Sequence, residues 1–304
     1  MTRASVPVGR TEPSDITAAV VASFEGCADT RLLEIVQAFV RHLHAFATEV
    51  RLTEPEWAAG IALLTQTGEI TDETRQEFIL WSDTLGLSML VDAMAHEKPH
   101  DATESTVLGP FYVPGSPWRD YGASIAEAEG GTPAWVYGRV LDVDGSPIAG
   151  AELDVWEGGD NQLYAVQDPR TPEFHLRGRF LTREDGRYAF LTVRPTSYRI
   201  PDDGPVGRML DVTGRHPWRP AHIHLIASGP GYETVRTHVF DSASDYLDSD
   251  AVFAVKPSLL RTFVDRAADD PERPDGVAGP WCSVENDIVL APARAPSSRS
   301  GSPA

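Results

Sequence analysis

Cysteine is nearly missing from this chain: Cys27 and Cys282 are the only two in 304 residues. Two thiols exclude a disulfide framework and a cysteine-rich metal site, and they read as reduced thiols. No apolar run reaches the roughly 20 residues that span a bilayer. The opening MTRASVPVGRTEPSD lacks the apolar stretch of a signal peptide, so a cytoplasmic protein is expected. Positive charge is scarce as well, with 26 Lys and Arg against 45 Asp and Glu and a formal net charge of −19. Nucleic acids and anionic membrane surfaces are met by clustered cations, so neither is expected as a partner. The acidity itself serves solubility. Hydrophobic residues make up 41% of the chain, enough for a sizeable core in one large or two modest domains.

What is present changes period along the chain. From Thr30 the residues Leu33, Val36, Phe39, Val40, Leu43 and Phe46 recur at helical spacing. In TEPEW, Thr53 and Glu56 form a capping box, with Pro55 in the tolerant first turn, for a helix ending near Gly68. A third helix is expected from about Asp72 to Ala95, carrying Phe78, Ile79, Leu85, Leu90 and Val91, and a short one before Cys27. Beyond a Pro- and Gly-rich connector the pattern turns β-rich. PAWVYGRVLDVDGSPIAGAELDVWE holds two runs around Asp144-Gly145, and GRFLTREDGRYAFLTV a second pair around Asp185-Gly186. AHIHLIAS, ETVRTHVF and SVENDIVLA supply further strands. The expected fold is mainly β, an antiparallel β-sandwich domain behind an α-helical N-terminal domain. The divisions are an N-terminal arm over 1–24, helices over 25–100, a connector over 101–134, the sandwich over 135–292 and a disordered Pro/Ser-rich tail over 293–304.

RPAHIHLIAS places His222 and His224 one residue apart. On a strand they share a face, with Ala221, Ile223 and Leu225 on the other. Two imidazoles on one face either bind something together or form a polar stripe toward solvent. A zinc site takes a third or fourth ligand, and neither the lone thiol of Cys282 nor His175 in its loop-like stretch supplies one.

Five stretches in order settle the comparison: ATESTVLGPFYVPGSP, GAELDVWEGGDNQLYAVQ, RGRFLTREDGRYAF, TVRPTSYRIPDDGPVG and GRHPWRPAHIHLIASGPGYETVRTHVF. Together they resemble the intradiol ring-cleaving dioxygenases, and most closely the branch that cleaves hydroxyquinol. The resemblance covers about residues 25 to 265. It implies one Fe(III) per subunit, held by Tyr164, Tyr198, His222 and His224. Phenolate oxygens are anionic donors suited to ferric iron, and imidazole suits iron too. It further implies that Tyr198 leaves the metal to accept a substrate proton, and that Arg219 steadies the negative charge appearing on the bound ring.

The implied substrates are hydroxyquinol (benzene-1,2,4-triol) and O2. Both oxygen atoms are incorporated and the ring is cleaved between adjacent hydroxylated carbons, giving 3-hydroxy-cis,cis-muconate, a tautomer of maleylacetate, in aromatic catabolism. The alternatives are catechol or chlorocatechol as substrate and, from another class, a non-catalytic β-sandwich binding module. The pocket wall carries over onto Leu80, Asp83, Val107, Leu108, Gly109, Pro110, Phe111, Ile200, Pro201 and Val252. His238 stands where catechol-cleaving relatives usually have glutamine. Asp83 reads either as a carboxylate accepting a hydrogen bond from the third hydroxyl or as a solvated acid on a helix face. Ala165 replaces the Asp that often follows the first tyrosine, and Leu108 a frequent Phe. The family resemblance also implies a homodimer through the N-terminal helices, with a phospholipid in an apolar tunnel.

Overall fold

A computed structural model describes residues 12–72, 75–96, 101–127 and 130–293. Residues 1–11 of the expected arm, and all but the first residue of the tail expected to be disordered, lie outside the described residues. The chain forms two compact units, Met1–Gln66 and Thr67–Ala304.

The first unit is built from α1 (Pro13–Ser23), α2 (Thr30–Glu49) and most of α3 (Glu54–Glu69). Asp29 caps α2, its carboxylate accepting from the backbone N–H of Arg31 at 2.9 Å and of Leu32 at 3.0 Å. Half of the predicted box at α3 forms: Glu56 reaches back to accept from the N–H of Thr53 at 2.8 Å, while the Thr53 hydroxyl donates to that same carboxylate oxygen, also at 2.8 Å. Gln37 donates to the carbonyl of Val21 at 3.2 Å and so ties α2 to α1. Part of the α2 stripe, Phe39, Leu43 and Phe46, is exposed.

The second unit opens with the end of α3, α4 (Glu77–Thr84) and α5 (Leu87–Ala95). The sequence pattern predicts one helix here. It breaks because Gly86 adopts φ 75°, a left-handed conformation glycine takes without steric cost. The strands follow as β1 (Pro133–Asp142), β2 (Glu152–Trp156), β3 (Arg177–Leu181), β4 (Arg187–Val193), β5 (Tyr198–Arg199), β6 (Trp218–Arg219), β7 (His222–Ser228), β8 (Val235–Asp241), β9 (Leu260–Arg261), β10 (Val264–Arg266), β11 (Trp281–Glu285) and β12 (Ile288–Leu290). Helix α6 (Pro205–Val212) lies between β5 and β6.

One five-stranded sheet runs β10-β11-β1-β12 with β4 on the other edge of β1, and a second runs β3-β2-β7-β8-β9. The pairs are mostly antiparallel, but β1 pairs in parallel with β11 and β12, and β8 with β9. The runs flanking Asp144-Gly145 and those flanking Asp185-Gly186 are not hairpins. In each case the chain crosses to the other sheet, so β1 and β4 pair together and β2 and β3 pair together. Crossing lets the apolar faces of sequence neighbours meet across the interior instead of side by side. Val136, Val140 and Phe190 from one sheet thus pack against Leu153, Val155, Ile223, Leu225 and Val239 from the other. Burial of each such side chain is worth about 1.5–3 kcal/mol.

Strand β7 alternates as expected. Ile223, Leu225 and Ala227 enter that core, and the histidines emerge on the opposite face. That face is not wet: His222 and His224 are each 2% exposed. A second apolar layer covers it, built from Leu80, Met89, Val206, Leu210, Ala251 and Leu259 around Trp156, Tyr164, Tyr198 and Phe240. A solvent-facing polar stripe is therefore excluded. Among the described residues no single helix is long and apolar enough to cross a membrane.

Candidate metal centre

Three short elements bring the polar groups of this buried face together. The ribbon of β5 and β6 sets Tyr198 directly opposite Arg219. Pro220 and Ala221 then turn the chain into β7, which presents His222 and His224. Tyr164 stands at the head of a single 3-10 turn, its N–H donating to Oε1 of Gln167 at 3.0 Å. The phenol oxygen of Tyr164 lies 3.0 Å from Nε2 of His224 and 3.3 Å from the phenol oxygen of Tyr198. Nε2 of His222 lies 3.2 Å from Nε2 of His224. Donors placed tetrahedrally at metal–ligand bonds of about 2 Å stand about 3.3 Å apart. Along the series Tyr198, Tyr164, His224, His222, each neighbouring pair of donors thus has the spacing found in a coordination shell.

Their protonation suits a cation. Nδ1 of His222 lies 2.7 Å from the carbonyl of Pro220, so it donates there and turns the Nε2 lone pair inward. Burial, then the charge of Arg219, holds His222 neutral, well below the ordinary imidazole range. Burial, then His222, does the same to His224. Burial, then Tyr198, pushes the Tyr164 phenol well above its ordinary value. Neutral imidazoles are ready ligands, whereas a phenol so placed releases its proton to solvent only in exchange for a strongly charged cation.

Aromatic contacts fix these side chains. Trp156, in register with His224, stacks on it at 4.7 Å, and Phe111 stacks on Tyr164 at 4.6 Å. Gly109, at φ +77°, passes so close that an added Cβ would stand 3.2 Å from Cε1 of His224. Arg219 closes the cluster. Its Nη1 lies 3.3 Å from the Tyr198 oxygen and 3.2 Å from Nε2 of His222. Burial opposes this charge, but Asp250 and then Tyr198 hold the guanidinium above its ordinary value.

The expected pocket wall divides. Leu80, Pro110, Phe111, Ile200 and Pro201 line one cavity of about 390 Å³, together with Arg75, Glu77, Leu163, Arg199 and Asp203. Val107 and Val252 are buried in the surrounding apolar layer, with Leu108 packed against it. Asp83 is 3% exposed, which removes the reading of a solvated helix-face acid. Burial pushes its carboxyl up, against a hydrogen bond from Ser88 and the charge of Arg219. His238 sits opposite His224 on β8, its Nδ1 bonded to the hydroxyl of Thr106. Its Nε2 is buried and makes no hydrogen bond among the described residues. The three histidines could themselves hold a metal ion, each offering one ring nitrogen within 4.8 Å of the others.

The sequence reading omits Trp156, Thr106, Glu157 and Asp250. Trp156 was within reach, since the residue ending β2 must meet a histidine if that strand pairs with β7. Asp250 was not, because YLDSD offers two acids without a mark on either of them.

Residues 29–103 match the family described as catechol dioxygenase N terminus, and residues 107–291 the family described as dioxygenase. The hydroxyquinol 1,2-dioxygenase of Nocardioides simplex is 50% identical over 283 residues, 92% of this chain and 95% of that relative. The 6-chlorohydroxyquinol 1,2-dioxygenase of Cupriavidus pinatubonensis is 51% identical over 250 residues, 82% of this chain and 91% of its own. A solved structure of hydroxyquinol 1,2-dioxygenase from Pseudomonas putida superposes with a TM-score of 0.87 at 50% identity, covering 92% of this chain and 99% of that one.

Proposed function

The chain belongs to the intradiol ring-cleaving dioxygenases, a family of iron-dependent enzymes, and from that membership we propose that it cleaves hydroxyquinol with O2 to 3-hydroxy-cis,cis-muconate. The observation that carries this reading is the convergence of two phenols, two imidazoles and a guanidinium at one buried point. Tyr164, Tyr198, His222 and His224 would hold the iron as Fe(III). When bound, the iron supplies the redox chemistry by which a chelated diol reacts with O2.

The residues of the chain do the rest. Tyr198 takes a proton from a substrate hydroxyl at its phenol oxygen, where Nη1 of Arg219 stands 3.3 Å away to steady the charge. The apolar layer keeps water from the reacting ring. Leu80, Pro110, Phe111, Ile200 and Pro201, with Val107, Leu108, Gly109 and Val252 behind them, shape a slot for a flat aromatic. His238 offers its unpartnered Nε2 to a substrate oxygen. Asp83 accepts the hydrogen bond of the third hydroxyl.

Purified protein is expected to be wine-red from tyrosinate-to-iron charge transfer and to consume O2 faster with hydroxyquinol than with catechol or 4-chlorocatechol. A colourless protein filled with zinc would sink the iron reading, and faster catechol turnover the substrate reading. Replacing Asp83 by Asn should lower the hydroxyquinol-to-catechol ratio of kcat/KM by about tenfold, the worth of one hydrogen bond of roughly 1.4 kcal/mol. An unchanged ratio, with the red colour intact, would remove Asp83 from substrate recognition.

The exposed stripe of Phe39, Leu43 and Phe46 supports a homodimer through the N-terminal helices, with a phospholipid against apolar helix faces. A sedimentation mass of one chain would remove the dimer, and a lipid extract without phospholipid the lipid. The two free thiols, Cys27 and Cys282, accord with a reducing, cytoplasmic setting.

A further inference from the structure

Arg219 reaches the metal centre with only one of its nitrogens. Nε donates to Oδ1 of Asp250 at 3.1 Å, and Nη2 lies 3.4 Å from Oδ2. The remaining nitrogen, Nη1, faces Tyr198 and His222. Asp250 is itself 4% exposed and is gripped from behind, accepting from the N–H of Val252 at 3.3 Å and of Ala254 at 3.0 Å. Between those two residues Phe253 takes φ 59°, which curls the backbone around the carboxylate. Four donors therefore hold one carboxylate whose orientation the main chain dictates, and its plane dictates that of the guanidinium.

We infer that Asp250 is the positioning residue of the active site: it turns Arg219 so that Nη1, and no other nitrogen, points at the reacting phenol and the bound ring. This rests on the dioxygenase reading above. A free arginine side chain has many rotamers, and an oxyanion donor displaced by about 1 Å loses on the order of a hundredfold in rate. Asp250 touches neither the proposed ligands nor the cavity behind Leu80 and Phe111. Its route to the reacting phenol therefore runs through Arg219.

The test uses the iron-loaded full chain as Asp250→Asn, Asp250→Glu, Arg219→Ala and the Arg219→Ala/Asp250→Asn pair. Asp250→Asn is expected to retain iron and to lower kcat for hydroxyquinol by about 10- to 100-fold, with KM within about threefold. Its charge-transfer band should move, because Nη1 shares the oxygen of Tyr198. Asp250→Glu keeps the charge and should recover part of kcat. In the Arg219→Ala background, Asp250→Asn should cost no further activity, and it removes a buried unpaired carboxylate, so that comparison does not depend on the single variant folding well. An unmoved band with unchanged kcat, or a loss that multiplies with that of Arg219→Ala, would overturn the assignment. Wild-type protein without iron or ring cleavage would instead overturn the reading beneath it.

Discussion

His224→Ala is expected to give a folded, colourless protein that retains less than about a tenth of the wild-type iron and less than about a thousandth of its hydroxyquinol turnover, since loss of a ligand outweighs the 10- to 100-fold effect of a ligand's supporting partner. The imidazole nitrogen of His224 has Tyr164 at 3.0 Å and His222 at 3.2 Å, so it stands at the centre of the proposed donor set. Its removal also empties the space beneath the stacked ring of Trp156, and a drop of a few kcal/mol in stability should accompany the loss of iron. Metal analysis, absorption spectra and urea denaturation read these effects separately. His238→Ala is the companion, because the three histidines cluster closely enough to invite a different ligand set. With two tyrosines and two histidines as ligands, His238→Ala keeps its iron and its colour. Iron lost equally from both variants would replace that set by one of three histidines.

Glu157→Gln should flatten the dependence of stability on pH. Glu157 follows β2, is 1% exposed, and accepts from the hydroxyl of Thr192 through one oxygen while the other has no hydrogen-bond partner among the described residues. Burial pushes its carboxyl up to about 8, against the hydrogen bonds from Thr192 and Val193. In the unfolded chain the same carboxyl titrates near 4.3, roughly its ordinary value. The folded state therefore binds the proton more tightly. Its contribution is complete below about pH 4.3 and is lost as the pH rises to about 8, by up to roughly 5 kcal/mol. Glutamine has no proton to lose, so the variant should be more stable than the wild type at pH 8 by about 2–5 kcal/mol. Urea denaturation at pH 5, 6.5 and 8 measures the slope, and equal slopes in the two proteins would refute it.

The histidine pair was legible because strand alternation is local. Ile223 and Leu225 on one side and His222 and His224 on the other need only the geometry of β7. The carboxylate of Glu56 folding back on Thr53 was legible for the same reason, being fixed by four consecutive residues. The sheet assignments were not. Turn residues at Asp185-Gly186 look alike whether the chain folds back on its neighbour or crosses to the facing sheet, and the outcome depends on distant partners. Gly86 likewise breaks a helical pattern that apolar spacing alone carries through to Ala95. Tyr164 and Tyr198 came from resemblance, since a loop tyrosine beside a proline has no periodicity to read. Asp250 lies 31 positions from Arg219 along the chain, and the pair exists only once the fold has closed.

Strand β7 is a party wall. Ile223 and Leu225 are wedged into the interior of the sandwich, while the imidazoles on its reverse are wedged into the layer around Trp156 and Phe240. A packed interior compresses little and passes displacement onward. Trimming a methyl group in the sandwich therefore reaches the two proposed iron ligands along the shortest route there is, the backbone they share. The setting of the two imidazoles is tuned from two rooms at once, and one of them is lined by aliphatic side chains alone on the β7 side.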